Sequence, residues 1–193
     1  MIGRLTDGLA ARRLADAMNL VVVSDHGMLP TSAERIVFLD DYIAPSEVQV
    51  DFQWSVVGLR PLTGTAEDLL KKLTRLPHAR VYAKAALPRR FHFRDSPRIP
   101  PVVILAEAGW LVISRETLKN RTYPVDLAAH GFDPALPEMG AAFIAAGPAF
   151  RQGATLKRFD NIHVYNLLCA VLGLQPAPND GDNRLVRAAL RRP

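Results

Sequence analysis

Asp25 and His26 stand side by side where an apolar, β-branched run at 20–24 gives out, and Gly27 follows them. A short run of this kind reads as a strand buried on both faces. In open α/β sheets, ligands gather just beyond the carboxyl ends of strands. Neighbours within a strand point apart, but on the turn after it both side chains can reach one cation. Carboxylate with imidazole suits zinc or a similar divalent ion, and Gly27 lets the backbone approach closely. The same pair also reads as a helix cap beside a hydrogen-bonded core histidine. A further candidate is His130, in the loop His130-Gly131-Phe132-Asp133, which is either a ligand or a turn residue.

The other histidines read differently. His163 lies on an apolar helix and reads as a packing residue. His78 follows Pro77 at a helix end, where positive charge complements the dipole. His92, between Phe91 and Phe93, is either the wall of a site or plain surface. Asp25, His26 and His130 thus make three ligands, against four for a closed zinc site and three plus water for a catalytic one. The sequence has no glycine-rich phosphate loop, no G-x-S-x-G and no CxxC, and no Ser or Thr stands in a nucleophile's setting.

The elements that position these residues follow an α/β rhythm. The spacing of Ile2, Leu5 and Leu9 predicts an amphipathic helix over 1–18, and Asn19 ends it. After the strand at 20–24, further strands are expected at 35–39, 52–59 and 79–83. A helix is expected at 65–76, with Thr65 as its cap and Asp68 three residues on. Residues 88–101, rich in Pro and Arg, read as loop. Residues 102–106 and 110–113 read as a strand pair across Gly109, and 139–146 as a buried strand closed by Gly147-Pro148. Residues 161–172 form a final helix, with Gly173 in the C-cap position.

The chain has 193 residues, enough for one domain with a substantial core. Hydrophobic residues make up 49% and charged residues 22%, a composition that excludes a disordered chain. The net charge of +5 is spread along the sequence except at the tail, where Arg184, Arg187, Arg191 and Arg192 read as a solvated helix face. A single cysteine, Cys169, rules out an intrachain disulfide and reads as a buried thiol. No apolar run reaches transmembrane length.

Four stretches in order carry a resemblance: NLVVVSDHGM at 19–28, LPRRFHFRDSPRIPP at 87–101 leading to Gly109-Trp110, HGFDPALPEMGAAFIAAGPAF at 130–150, and DNIHVYNLLCAVLGLQPAPNDG at 160–181. Together they are similar to the nucleotide pyrophosphatase/phosphodiesterase family of the alkaline-phosphatase-like superfamily. The resemblance implies an α/β fold, a sheet sandwiched by helices, incomplete here. It implies that residues 1–193 are the C-terminal part of one catalytic domain, with 35–104 as a small inserted capping segment.

The activity it implies is metal-dependent hydrolysis of phosphodiester or pyrophosphate bonds in small diesters or nucleotides. Two zinc ions grip the phosphate while a threonine attacks phosphorus. Asp25 and His26 match ligands of the metal that activates the threonine, and His130 matches a ligand of the other. The threonine and the remaining ligands, two aspartates and a histidine, belong to an N-terminal half expected as partner. Arg89 departs from the family, in which an acidic residue is common at that place. From charge spread and apolar run length, neither a nucleic-acid partner nor a membrane segment is expected, and members of the family the chain resembles often work outside the cytoplasm. The alternative expectation is an inactive remnant that binds metal weakly. The apolar strands at 20–24 and 139–146 are expected to leave an unpaired edge and an apolar face open.

Overall fold

The computed structural model describes residues 1–122 and 128–191. In chain order the elements are α1 (Ile2–Ala11), β1 (Leu20–Val23), β2 (Leu29–Pro30), β3 (Ile36–Phe38), β4 (Val48–Phe52), β5 (Val56–Pro61), α2 (Ala66–Leu73), β6 (Ala79–Ala83), β7 (Val102–Ala106), β8 (Leu111–Ile113), α3 (Arg115–Lys119), β9 (Ala128–Ala129), β10 (Phe143–Ala146), α4 (Val164–Leu172) and α5 (Arg184–Ala189). The chain forms two compact units, Met1–Asp25 with Ala141–Pro193, and His26–Gly140. The segment 35–104 falls inside the second unit.

The larger unit is built on an antiparallel sheet in the order β4-β5-β7-β6. Its core is apolar on the face that α2 covers: Val57, Leu59, Leu73, Val102 and Ile104 are fully buried in one cluster. Helix α2 starts where Thr65 and Asp68 exchange hydrogen bonds. The Thr65 hydroxyl accepts from the Asp68 N–H (3.2 Å), and the Asp68 carboxylate accepts from the Thr65 N–H (3.0 Å). Thr65→Ala is expected to cost about 1 kcal/mol, read as a lower urea midpoint with an unchanged slope.

The hairpin expected across Gly109 does not form. Strand β7 pairs with β5 and β6, whereas β8 pairs in parallel with β3. The reason lies in the turn between them. The Trp110 N–H donates to the Glu107 carbonyl, and Gly109 takes φ +79, where a Cβ would lie 2.7 Å from the Arg35 guanidinium and 3.1 Å from the Pro30 carbonyl oxygen. This turn carries the chain out of the β7 sheet and on to β3. The single strand expected at 52–59 is two strands, β4 and β5, broken at Gln53–Ser55 around Trp54 at φ +154.

In the other unit, β1 pairs antiparallel with β10, Leu20 facing Ala146 and Val23 facing Phe143. These two strands form a sheet of two among the described residues, and Val23 and Ile144 are exposed. The strand at 20–24, read as buried on both faces, is therefore only partly covered within its unit. The N-terminal helix stops at Ala11 rather than at residue 18, because the Arg13 and Leu14 N–H groups turn back to Ala10 and Leu9 with Arg13 at φ +58. None of its side chains is buried.

The expected final helix is a short 3-10 turn running into α4, with Gly173 at φ +68 as its C-cap. Helices α4 and α5 enclose Leu167, Leu185, Ala189 and Phe150, and Cys169 is buried as read from the sequence. His163 is a packing histidine: it is 3% exposed, and its Nδ1 accepts from the Asp182 N–H at 3.0 Å. The arginine tail is only partly a solvated face. Arg184 pairs with Asp182, and Arg191 Nε donates to the Phe150 carbonyl (2.9 Å). Arg192 lies outside the described residues. No described helix is long and apolar enough to cross a membrane.

Candidate metal centre

Strand β1 ends at Val23, and Ser24 ties its end to the incoming chain by accepting from the Ala142 N–H through Oγ (2.8 Å). Asp25 follows with an exposed side chain, and its carbonyl accepts from Asn161 Nδ2 at 3.4 Å. At His26 the chain enters the other unit.

His26 is oriented by its own neighbour, with Nδ1 2.8 Å from the Gly27 carbonyl. A carbonyl can only accept, so Nδ1 carries a proton, which leaves Nε2 as the nitrogen through which this ring would bind a metal. Gly27 makes this possible through close backbone approach. Its N–H donates to the Met139 carbonyl (3.1 Å), and a Cβ there would lie 1.9 Å from the Glu138 oxygen.

The two-residue antiparallel pair β2 and β9 explains how His130 reaches the same place. Leu29 faces Ala129 and Pro30 faces Ala128, so the residues before β2 and those after β9 meet at one end of the ladder. His26 and His130 stack there, ring centroids 4.0 Å apart and planes within 17°. The His130 carbonyl accepts from Ser55 Oγ at 2.6 Å. Gly131, at φ +84, leaves room for that hydroxyl, since a Cβ would come within 2.7 Å of it.

Nothing local in the sequence marks Ser55 or the backbone of 138–139 as part of this arrangement. His130 itself is thus a ring at a ladder end rather than a plain turn residue. Among the described residues, no three His, Cys, Asp or Glu side chains gather into a group able to hold a metal. The two imidazoles meet within one unit, and Asp25 belongs to the other.

The remaining sequence candidates are placed away from this pair. His78 does not cap a helix: α2 ends at Leu73, and His78 sits in a turn at φ +51. Its ring stacks on Trp110 (3.5 Å, 6°), and its Nδ1 lies 3.0 Å from Glu107 Oε2. His92 is exposed at φ +48, while its neighbours Phe91 and Phe93 line a groove of about 540 Å³. Arg89 is exposed, and it is Arg90 that engages the loop after His130, gripping both oxygens of Asp133.

The Arg90 guanidinium holds the Asp133 carboxyl below its ordinary value, and the carboxylate in turn raises Arg90. A depressed carboxyl contributes stability that is full above its ordinary value of 3.8 and is lost as pH falls through the lowered one. The loop at 131–136 is therefore expected to loosen in acid below about pH 4. Amide exchange across the loop checks this, and Asp133→Asn is expected to flatten the dependence.

The family model for type I phosphodiesterase / nucleotide pyrophosphatase matches residues 1–133 of this sequence. The chain belongs to that family. It is 36% identical over 183 residues to "Bis(5'-adenosyl)-triphosphatase enpp4" of Mus musculus, covering 94% of this chain and 38% of that protein. It is 34% identical to the venom phosphodiesterase of Naja atra, covering 100% of this chain and 24% of that one. Among solved structures, human ectonucleotide pyrophosphatase / phosphodiesterase 5 superposes with a TM-score of 0.90 at 31% identity, covering 98% of this chain and 50% of that one. An inactive form of the murine protein, in complex with AMP, gives a TM-score of 0.88 at 32% identity, again covering 98% and 50%. The chain therefore spans half or less of the length of these relatives and shares the α/β fold of the phosphodiesterase 5 structures over that span.

Proposed function

We propose that Asp25, His26 and His130 are metal ligands of a hydrolase that cleaves phosphodiester or pyrophosphate bonds in small nucleotide-type substrates, with zinc as the metal. The observation that carries this reading is the stacked His26–His130 pair with the His26 Nδ1 proton committed to the Gly27 carbonyl. Two-metal sites hold their cations about 3.5–4 Å apart, so ligands of the two ions come to lie side by side, as these rings do. Zinc, when bound, supplies Lewis-acid neutralisation of charge at the phosphoryl oxygens and activates the attacking group.

The chain's own residues orient and present the donors. Gly27 fixes the His26 tautomer, Ser55 fixes the carbonyl of His130, and Asp25 adds a carboxylate next to His26 in sequence. Nucleotide substrates are supported by the AMP complex of the murine relative and by the name of the triphosphatase relative. Residues 35–104 are proposed to cap the site, a reading supported by the sheet of β4 to β7 and its covering helix α2.

A second reading, weak metal binding without turnover by the 193-residue chain alone, is favoured by the lack of a three-ligand group among the described residues. Titration of zinc into the metal-free chain by calorimetry tests the ligand assignment. Binding at about micromolar affinity or weaker is expected, since full zinc shells bind far more tightly. His26→Ala is expected to remove it and Asp25→Ala to weaken it. Tight zinc binding indifferent to both substitutions would sink the assignment.

A further inference from the structure

The positive charge read as spread along the sequence gathers in one loop. Residues 84–98 hold Lys84, Arg89, Arg90, Arg94 and Arg98 against the carboxylate of Asp95 alone, in a chain whose whole excess is +5. The loop joins β6 to β7, which are neighbours in the four-stranded sheet. Its neck closes where the Lys84 N–H donates to the Pro101 carbonyl (2.8 Å). It lies wholly within the unit His26–Gly140.

Backbone carbonyls draw these cations together, and a carbonyl holds a side chain without cancelling its charge. Lys84 Nζ donates to the Ser96 carbonyl (2.6 Å), and Arg94 Nη1 to the Ala85 carbonyl (3.3 Å). The Arg98 N–H donates to Ser96 Oγ (3.3 Å), so Lys84, Arg94 and Arg98 surround one turn. Arg94 Nη1 also reaches the Leu87 carbonyl (3.5 Å), two residues before Arg89. Arg89 and Arg98 are exposed, and among the described residues their side chains make no hydrogen bond or ion pair. The nearby acids are engaged with other cations: Arg90 holds Asp133, and Arg60 holds Asp51 (2.7 Å). Asp95 is exposed and lies 3.9 Å from Arg94 Nε.

We propose that the loop 84–98 is a docking surface for a linear acidic polysaccharide, whose sulfate or carboxylate groups are taken by Lys84, Arg89, Arg94 and Arg98. A guanidinium meets such oxyanions with paired donors. Several fixed cations on one exposed loop suit a chain of regularly spaced charges. Two other polyanions fit less well. None of the exposed large hydrophobic residues falls within 84–101, so the loop carries no anchor for a lipid interface. Phe91 and Phe93 are half-buried, so it offers no open stacking platform for single-stranded nucleic acid. The surface uses neither His26 nor His130 and needs no metal.

Calorimetric titration of dextran sulfate into the whole chain, with neutral dextran beside it, tests the proposal. Salt-sensitive binding is expected for the sulfated polymer and none for the neutral one. Arg89→Gln combined with Arg98→Gln is expected to weaken it at least about tenfold, and to lower the slope of log affinity against log salt by roughly two. Both positions are exposed, so the thermal melt is expected to stay unaltered, which serves as the folding control. Arg4→Gln combined with Lys119→Gln removes the same charge from exposed positions elsewhere and is expected to change binding by less than about twofold. Equal weakening by the two pairs would reduce the effect to overall charge and overturn the proposal. Absence of binding to dextran sulfate would overturn it too, as would tighter binding of duplex DNA or of phosphatidylglycerol vesicles.

Discussion

His26→Ala is expected to remove metal-dependent phosphodiesterase turnover from the active protein by about two orders of magnitude or more while leaving the fold intact. Loss of a mere outer partner of a metal ligand commonly costs about 10–100-fold, and removing the ligand itself costs at least as much. The fold argument is equally direct. His26 is half-buried and stacks on an exposed His130, and its Nδ1 lies 2.8 Å from the adjacent Gly27 carbonyl. Truncation of a half-buried side chain therefore opens no core cavity.

A structural role for His26 makes a different forecast: the melt would shift and turnover would follow the folded fraction. Measuring kcat on an aryl phosphodiester beside a thermal melt separates the two. A variant with parental turnover would remove His26 from the site, and with it the carry-over of Asp25 and His130. His26→Gln, which keeps a polar group of similar reach without an imidazole nitrogen, is expected to be as inactive as the alanine variant.

The parts of this arrangement that sequence makes legible are those written in local chemistry. Thr65 and Asp68 mark a helix start because their hydrogen bonds span three residues, and Gly173 marks a helix end because the left-handed turn there asks for glycine. Asp25-His26 stands out because an apolar strand ends just before it. What is not legible is set by long-range pairing. Ser55 reaches His130 across 75 residues, and a serine between two strands gives no hint of that partner.

The hairpin expected at 102–113 fails for the same reason. Leu111–Ile113 is as apolar as any buried strand, and its pattern fits β3 as well as β7. His78 illustrates a boundary error with a chemical consequence. The helix ends five residues earlier, so the ring that seemed to complement a dipole stacks instead on Trp110.

Gly27→Ala is expected to be the most damaging single-methyl change near the site. The added carbon would fall 1.9 Å from the Glu138 oxygen and 2.9 Å from the Gly140 oxygen, both backbone atoms rather than flexible side-chain ends. The Glu138 carbonyl has little room to retreat. It lies in the 3-10 turn Pro137–Met139, and Met139 is packed with Leu111, Ala129 and Phe132. Either that cluster shifts or the Gly27 N–H leaves the Met139 carbonyl, and overpacking of this kind costs about 3 kcal/mol.

At about 2–4 °C per kcal/mol for a chain of this size, the melting temperature is expected to fall by roughly 6–12 °C. The same shift moves the Gly27 carbonyl that holds His26 Nδ1, so zinc affinity is expected to fall together with stability. Gly153→Ala is the matched control: it places a methyl at φ +64 with nothing within 4 Å, where only backbone strain of about 1–2 kcal/mol applies. If the two variants melted alike and bound zinc alike, close approach at Gly27 would not be what positions His26. A separation of several degrees, with zinc binding lost only in Gly27→Ala, ties the glycine to the ligand it precedes and orients.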